Sequence, residues 1–278
     1  MNPKVILVPF SSHDQDGAAL EYAFHLAASY EASVQAWHIA PDPETIATSY
    51  AYEPMVIYPE ASIREMKDAN EISRRDAEEK FLSMARSAKA KKASFHSTVG
   101  LAADIIAVRG RVVDLIVVGR TDERINGDGL INGALFGSGH PMILIPPDSQ
   151  TKKINGDILI SWNGSLEAAH AVAFALPYMK HGKIWVLTEI EEELGSSSLT
   201  IEDLVGYLSL HNISVDKAMI HMRETSSLPA SILNTARTLN VDMIVMGAWG
   251  HSRIREYIFG GVTHFMLHHA DIPILMAH

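Results

Sequence analysis

The chain has no cysteine among its 278 residues. That excludes disulfides, thiol nucleophiles and thiolate metal sites, and it fits a reducing, cytoplasmic setting. No apolar stretch approaches the length of a membrane span, so a soluble protein without membrane contact is expected. Positive charge is scarce: 23 Lys and Arg stand against 33 Asp and Glu, a formal net charge of −10. No basic face is left to release counterions, which excludes a general affinity for nucleic acid. Between Met1 and the strand-like Val5–Pro9 there is neither a basic region nor an apolar signal core, so secretion is not expected. The familiar catalytic signatures are missing as well, with no nucleophile elbow, no Walker A loop and no H-E-x-x-H pair. The chain does not read as an enzyme.

What is present is a repeat. The hydrophobic share of 47% is that of a protein with a full core, and the apolar runs recur twice in one order. Lys4–Phe10 and Asp157–Asn163 read as first strands, each followed by a helix. Ala18–Ser29 places Leu20, Phe24 and Ala27 on one face; Leu166–Leu176 places Ala169, Val172, Ala173 and Leu176 on one face, with Ser165 as N-cap. Second strands are expected at Ser33–Ile39 and Lys183–Thr188. The first half then inserts Pro41–Pro59 and a long charged helix, Ser62–Lys91, whose closing lysines complement the helix dipole. The second half has a shorter helix ending near Asn212. Third strands fall at Ser94–Val99 and Ser214–His221, with helices at Leu101–Arg109 and Leu228–Leu239 after them.

The fourth strands match most closely, Asp114-Leu-Ile-Val-Val-Gly119 against Asp242-Met-Ile-Val-Met-Gly247. The closing strands agree too, Pro141-Met-Ile-Leu-Ile145 against Pro273-Ile-Leu-Met276. Alternating strands and helices repeated in this way predict two α/β domains with mainly parallel sheets and helices on both faces. The domains are expected at 1–148 and 154–278, joined through the polar segment Pro147–Asn155.

In such sheets a ligand binds beyond the carboxyl ends of the strands, and there the halves differ. Gly119 to Pro141 spans 22 positions, whereas Gly247 to Pro273 spans 26. The longer loop carries Gly247, Gly250 and Gly260 ahead of a helix whose N-terminus would aim unpaired amides into it, an arrangement suited to phosphate. The same glycines also serve simply to turn the chain. Where the second half has Gly250 the first has Asp122, which would repel a phosphate. Arg253 and Arg255 are placed either to pair with phosphate or to stand in solvent, and Trp249 either to stack on a base or to pack. His264 and His268 are an i, i+4 pair, but with no third ligand indicated no metal site is expected.

With these residues the whole chain resembles a tandem universal stress protein. Nucleotide-binding members of that family carry a G-x2-G-x9-G-[S/T] loop after the fourth strand, and Gly247, Gly250 and Gly260 meet its spacing. The next position is Gly261 instead of a hydroxyl residue, with Thr263 the nearest hydroxyl. The family's first strand ends in a phrase such as V-D-G-S; here it is Trp162-Asn163-Gly164-Ser165, with the aspartate replaced by asparagine. Pro9-Phe10-Ser11-Ser12 lacks both the aspartate and the glycine, so the first half reads as structural.

The resemblance implies two adenine-nucleotide-hydrolase-like, flavodoxin-like domains with five-stranded sheets, whose closing strands meet. It implies a cytoplasmic stress-response protein that binds ATP, ADP or AMP through Asn163, Gly247, Gly250, Arg253, Gly260, Gly261 and Thr263 as a sensor or regulator. Slow hydrolysis of the bound nucleotide is left open, and so is a homodimer of the tandem chain. A second reading stands beside it, of a scaffold without nucleotide that works through protein contacts or a small apolar ligand under Pro41–Pro59.

Overall fold

In a computed structural model, residues 2–11, 14–45, 60–121, 129–147, 156–189, 199–221, 227–248 and 261–278 are described. They fall into two compact units, Pro3–His140 and Pro141–His278, the latter joined by Met1–Asn2.

The first unit contains β1 (Val5–Pro9), α1 (Asp14–Tyr30), β2 (Ser33–Ala40), α2 (Glu60–Ser87), β3 (Ala93–Val99), α3 (Ala102–Arg109) and β4 (Leu115–Gly119). A short helix, α4, follows at Leu130–Asn132 and continues as a π-helical turn over Gly133–Gly137. Its strands lie in the order β3-β2-β1-β4, all parallel. β1 and β4 are almost wholly buried, as continuous apolar strands covered on both faces must be. Leu20, Phe24 and Ala27, the expected inner stripe of α1, are buried.

Helix α2 is longer at its start and shorter at its end than the sequence predicts. Arg86 is the basic residue of its last turn, and Lys89 adopts a left-handed φ of 51° in the turn beyond, so the lysines do not extend the helix. Exposed charges stabilise it along its length: Arg74 bonds Glu71 at 2.8 Å and Glu78 at 2.7 Å, and Arg75 bonds Glu71 at 2.7 Å. Hydrogen bonds from Arg74, then Arg75, hold the Glu71 carboxyl down at about 2. The inner face of α2 is anchored by Phe81, whose ring meets Phe10, Phe24 and Phe95 at centroid distances of 6.5, 6.2 and 5.7 Å.

Between α2 and the sheet lies His38 of β2, buried, with one ring nitrogen 3.1 Å from the Ser97 hydroxyl and the other 3.1 Å from the Ser73 hydroxyl. Burial, and then the nearby Arg74 charge, lower its pKa below the ordinary 6.5. The unfolded chain therefore takes up this proton more readily than the folded one. The contribution of neutral His38 is complete above pH 6.5 and is lost as pH falls through the interval down to its lowered pKa. Urea titrations at a series of pH values should show stability declining below about pH 6.5. The decline should be shallower in His38→Gln; identical slopes would assign it to other groups.

The second unit contains β5 (Met142–Ile145), β6 (Ile158–Trp162), α5 (Leu166–Ala175), β7 (Ile184–Glu189), α6 (Ile201–Leu210), β8 (Val215–His221), α7 (Leu228–Leu239), β9 (Met243–Gly247), α8 (Gly261–His269) and β10 (Ile274–Ala277). The strand order is β5-β10-β9-β6-β7-β8. All neighbours are parallel except β5, which runs antiparallel to β10 with Leu144 opposite Ile274 and Met142 opposite Met276. The two closing strands thus pair with each other, and β5 is counted in the second unit.

Aspartates clasp the amino ends of these strands. Asp114 Oδ2 accepts from the amides of Lys4 and Val5, and Asp242 Oδ2 accepts from Asp157. Asp157 in turn accepts from Lys183, and Asp216 from Ile184. Each bond satisfies a strand-end donor that no ladder partner reaches.

No helix among the described residues is long and apolar enough to cross a membrane.

Candidate functional site

In the second unit the strand order turns back on itself between β6 and β9, so the crevice for a ligand lies beyond the carboxyl ends of these two strands. β6 delivers Trp162 and Asn163; β9 delivers Gly247. From β6 the chain turns sharply through Gly164, at a left-handed φ of 71° that suits glycine, and enters α5. Ser165 is the N-cap expected from the sequence, its Oγ accepting from Ala168 N at 3.1 Å. Asn163 is exposed, but its Oδ1 accepts from Ser165 N at 3.1 Å. Its acceptor therefore helps to shape the turn.

Helix α5 buries Ala168, Ala171, Val172 and Ala175. The sequence predicted Ala169, Val172, Ala173 and Leu176 instead, about one residue out of phase. Nearly every residue in this helix is apolar or small, so the 3.6-residue period has little contrast to reveal its phase. The corrected phase brings Glu167 to the sheet side, one turn before Ala171. A β-carbon added at Gly247 would lie 2.5 Å from Ala168 N, 2.8 Å from Glu167 C and 3.0 Å from Glu167 Cβ. The end of β9 thus touches the first turn of α5, and glycine is required there for packing.

Gly261 differs: it opens α8, is exposed, and an added β-carbon would meet no heavy atom of the described residues within 4 Å. Thr263 lies two residues further along α8 and is buried. The structure therefore brings Asn163 and Gly247 to the mouth of the sheet and places Gly261 and Thr263 in the first turn of α8. Gly250, Arg253 and Gly260, with Trp249 and Arg255, lie outside the described residues.

The first unit is built differently after its fourth strand. An added β-carbon would lie 2.2 Å from the Ala103 carbonyl oxygen at Gly133 and 2.3 Å from Ala107 Cβ at Gly137. These two glycines press the π-helical turn onto α3. At the end of β1, Ser11 donates from both its amide and its hydroxyl to the buried Asp16 carboxylate, at 2.7 and 2.6 Å.

On α8, the His264 and His268 rings lie with centroids 4.2 Å apart and planes tilted by 40°, and His268 Nδ1 lies 2.8 Å from the His264 carbonyl oxygen. Burial, then the neighbouring His268 and His269, lower the His264 pKa. Among the described residues no group of three or more His, Cys, Asp or Glu is arranged to hold a metal ion.

The model of the universal stress protein family matches residues 2–138 and again 157–278. The chain belongs to this family. Both halves of this universal stress protein carry the match, so the repeat seen in the sequence is a duplication of the family's domain. Its fold is found in a universal stress protein from Archaeoglobus fulgidus DSM 4304, with a TM-score of 0.69 and 16% identity over 98% of this chain and 97% of that one. It is found also in a functionally unknown protein from Pseudomonas aeruginosa PAO1, with a TM-score of 0.57 and 15% identity over 99% and 92% of the two chains. Among curated proteins, none matches the chain.

The contact of Glu167 with the end of β9 at Gly247 is what sequence reasoning missed. The signal available was the i, i+4 relation of Glu167 to Ala171, hidden while the helix phase was misread.

Proposed function

We propose that this protein binds an adenine nucleotide in its second domain, at the carboxyl ends of β6 and β9, and acts in the cytoplasm as a stress sensor or regulator. The observation that carries the reading is the contrast between the two helices that follow the fourth strands. At the start of α8 a β-carbon added to Gly261 would meet no heavy atom of the described residues, whereas at the start of α4 one added to Gly129 would lie 3.3 Å from Ala103 Cβ, and Gly133 and Gly137 beyond it are packed against α3. An open helix N-terminus fed by a loop with Gly247, Gly250 and Gly260 offers amides and a positive dipole end to phosphate. In this reading Arg253 pairs with phosphate from within the loop. The protein acts by binding, without turnover, and its domains run 1–148 and 154–278.

Calorimetric titration of the full chain with ATP, ADP and AMP tests it. Saturable binding is expected, and Gly250→Asp should weaken it about tenfold or more, because a carboxylate would face the phosphates. Folded protein that binds none of the three at millimolar concentration would leave the scaffold reading. Binding unchanged in Gly250→Asp would move the site elsewhere.

A further inference from the structure

Helix α3 is apolar on both sides. Towards the body of the first unit it buries Ile106 and sets Ala103 and Ala107 against the glycines of the π-helical turn. On the other side Leu101, Ile105, Val108 and Val112 follow at intervals of four, three and four residues, the spacing of a single helical stripe. The stripe starts at the residue that caps α3 and ends in the short helical turn Gly110–Val112 that prolongs it. Leu101 is 62% exposed, Val108 55% and Val112 77%, with Ile105 half-buried between them. A helix apolar all round is ordinarily enclosed by other elements, yet among the described residues this face is open.

Folding of the domain does not demand such a stripe. In the second unit α7 makes the same connection from third to fourth strand, and its exposed residues are Asn234, Arg237 and Thr238. An apolar outer face in one copy and a polar one in the other marks α3 as a surface for contact with another molecule.

The stripe is its own complement. Its intervals read the same in either direction, so two α3 helices laid antiparallel about a two-fold axis set Leu101 against Val112 and Ile105 against Val108, each contact made twice. Charge agrees with this register. Asp104 and Arg111 are exposed and, seven residues apart, flank the stripe on the same side. A two-fold axis between antiparallel helices brings like flanks together with their directions reversed. Asp104 of one copy then meets Arg111 of the other, twice over. The Arg111 guanidinium is fixed at that flank by the bond from its Nε to the Gly137 carbonyl oxygen, 3.1 Å long. Arg109 lies on the opposite flank, its guanidinium 4.7 Å from the centre of the Trp37 ring, and takes no part in the pairing.

We propose that this stripe is the contact surface for a second copy of the chain, the two α3 helices packing antiparallel with Asp104 and Arg111 paired across the seam. The contact belongs to the first unit and is independent of any nucleotide in the second.

Sedimentation equilibrium of the full chain tests it, at concentrations up to about 1 mM, where even a small interface is populated. A monomer–dimer equilibrium is expected. Val108→Lys alters an exposed residue and leaves the core intact; it should weaken association about tenfold or more, because it presses a charge into the apolar seam. Asp104→Arg and Arg111→Asp should each weaken it too, by setting like charges against each other at both ends of the seam. The double variant should recover most of that loss. It still lacks the bond to Gly137, so its recovery reports the pairing alone. Circular dichroism checks that every variant is folded. A chain that stays monomeric throughout this range would overturn the proposal and leave the stripe to a different protein. Dimers that Val108→Lys does not weaken would place the contact elsewhere. A double variant no better than either single one would overturn the antiparallel register.

Discussion

Gly247→Ala should destabilise the second unit by about 3 kcal/mol, the upper end of what overpacking costs. The reason is what the new methyl would meet. Two of its three nearest neighbours are backbone atoms, Ala168 N and Glu167 C, within 2.8 Å, and backbone cannot step aside as the tip of a flexible side chain can. Relief requires α5 to lift from the sheet, and with it the buried face of Ala168, Ala171, Val172 and Ala175. Urea unfolding monitored by circular dichroism would show the loss as a lower midpoint. Gly261→Ala is the control, since its added methyl, at the start of a helix, meets no heavy atom of the described residues within 4 Å. That variant should match or slightly exceed the unaltered chain, because alanine favours a helix over glycine. An unchanged midpoint in Gly247→Ala would show that α5 and β9 stand further apart than described.

Phe81→Ala should cost the first unit about 3–5 kcal/mol, the range for truncating a buried phenylalanine. Phe81 is 2% exposed and joins three aromatic neighbours that come from beyond the end of β1, from α1 and from β3. The rest of the inner face of α2 offers one other buried residue, Ala77, and the Ser73 hydroxyl 3.1 Å from His38. The exposed ion pairs along the helix do not compensate, because surface pairs contribute little to stability. Hydrogen exchange should therefore report faster exchange throughout Glu60–Ser87, with the amides of β9 and β10 unaffected. A loss confined to the residues beside position 81 would mean that α2 is held by contacts other than this aromatic cluster.

Most of the architecture was legible because parallel strands buried on both faces leave unbroken apolar phrases, and two copies of each phrase confirmed one another. Asp114–Gly119 and Asp242–Gly247 are such a pair. Helix ends were legible where a cap has a chemical signature, as at Ser165, and at Asn212, whose φ is 60°. The phase of α5 was not, because a helix of alanine and valine offers little polar contrast. Nor was the close approach at Gly247, since a glycine required by packing and one that gives room to a ligand are the same letter. Asn163 was read as a ligand contact, and its oxygen has a second task that the sequence did not reveal, holding the turn into α5. The part of the site on Gly250, Arg253 and Gly260 remains a reading of spacing.

The aspartate clasps carry one more consequence. Asp114 and Asp242 occupy equivalent places in the two copies and do the same work, each binding the amide that starts the adjacent first strand. Losing either aspartate would leave a strand-end amide without its partner. The loops beyond the carboxyl ends of the fourth strands differ in length instead, with 22 positions from Gly119 to Pro141 and 26 from Gly247 to Pro273. The two copies thus agree where their strands begin and differ beyond where they finish.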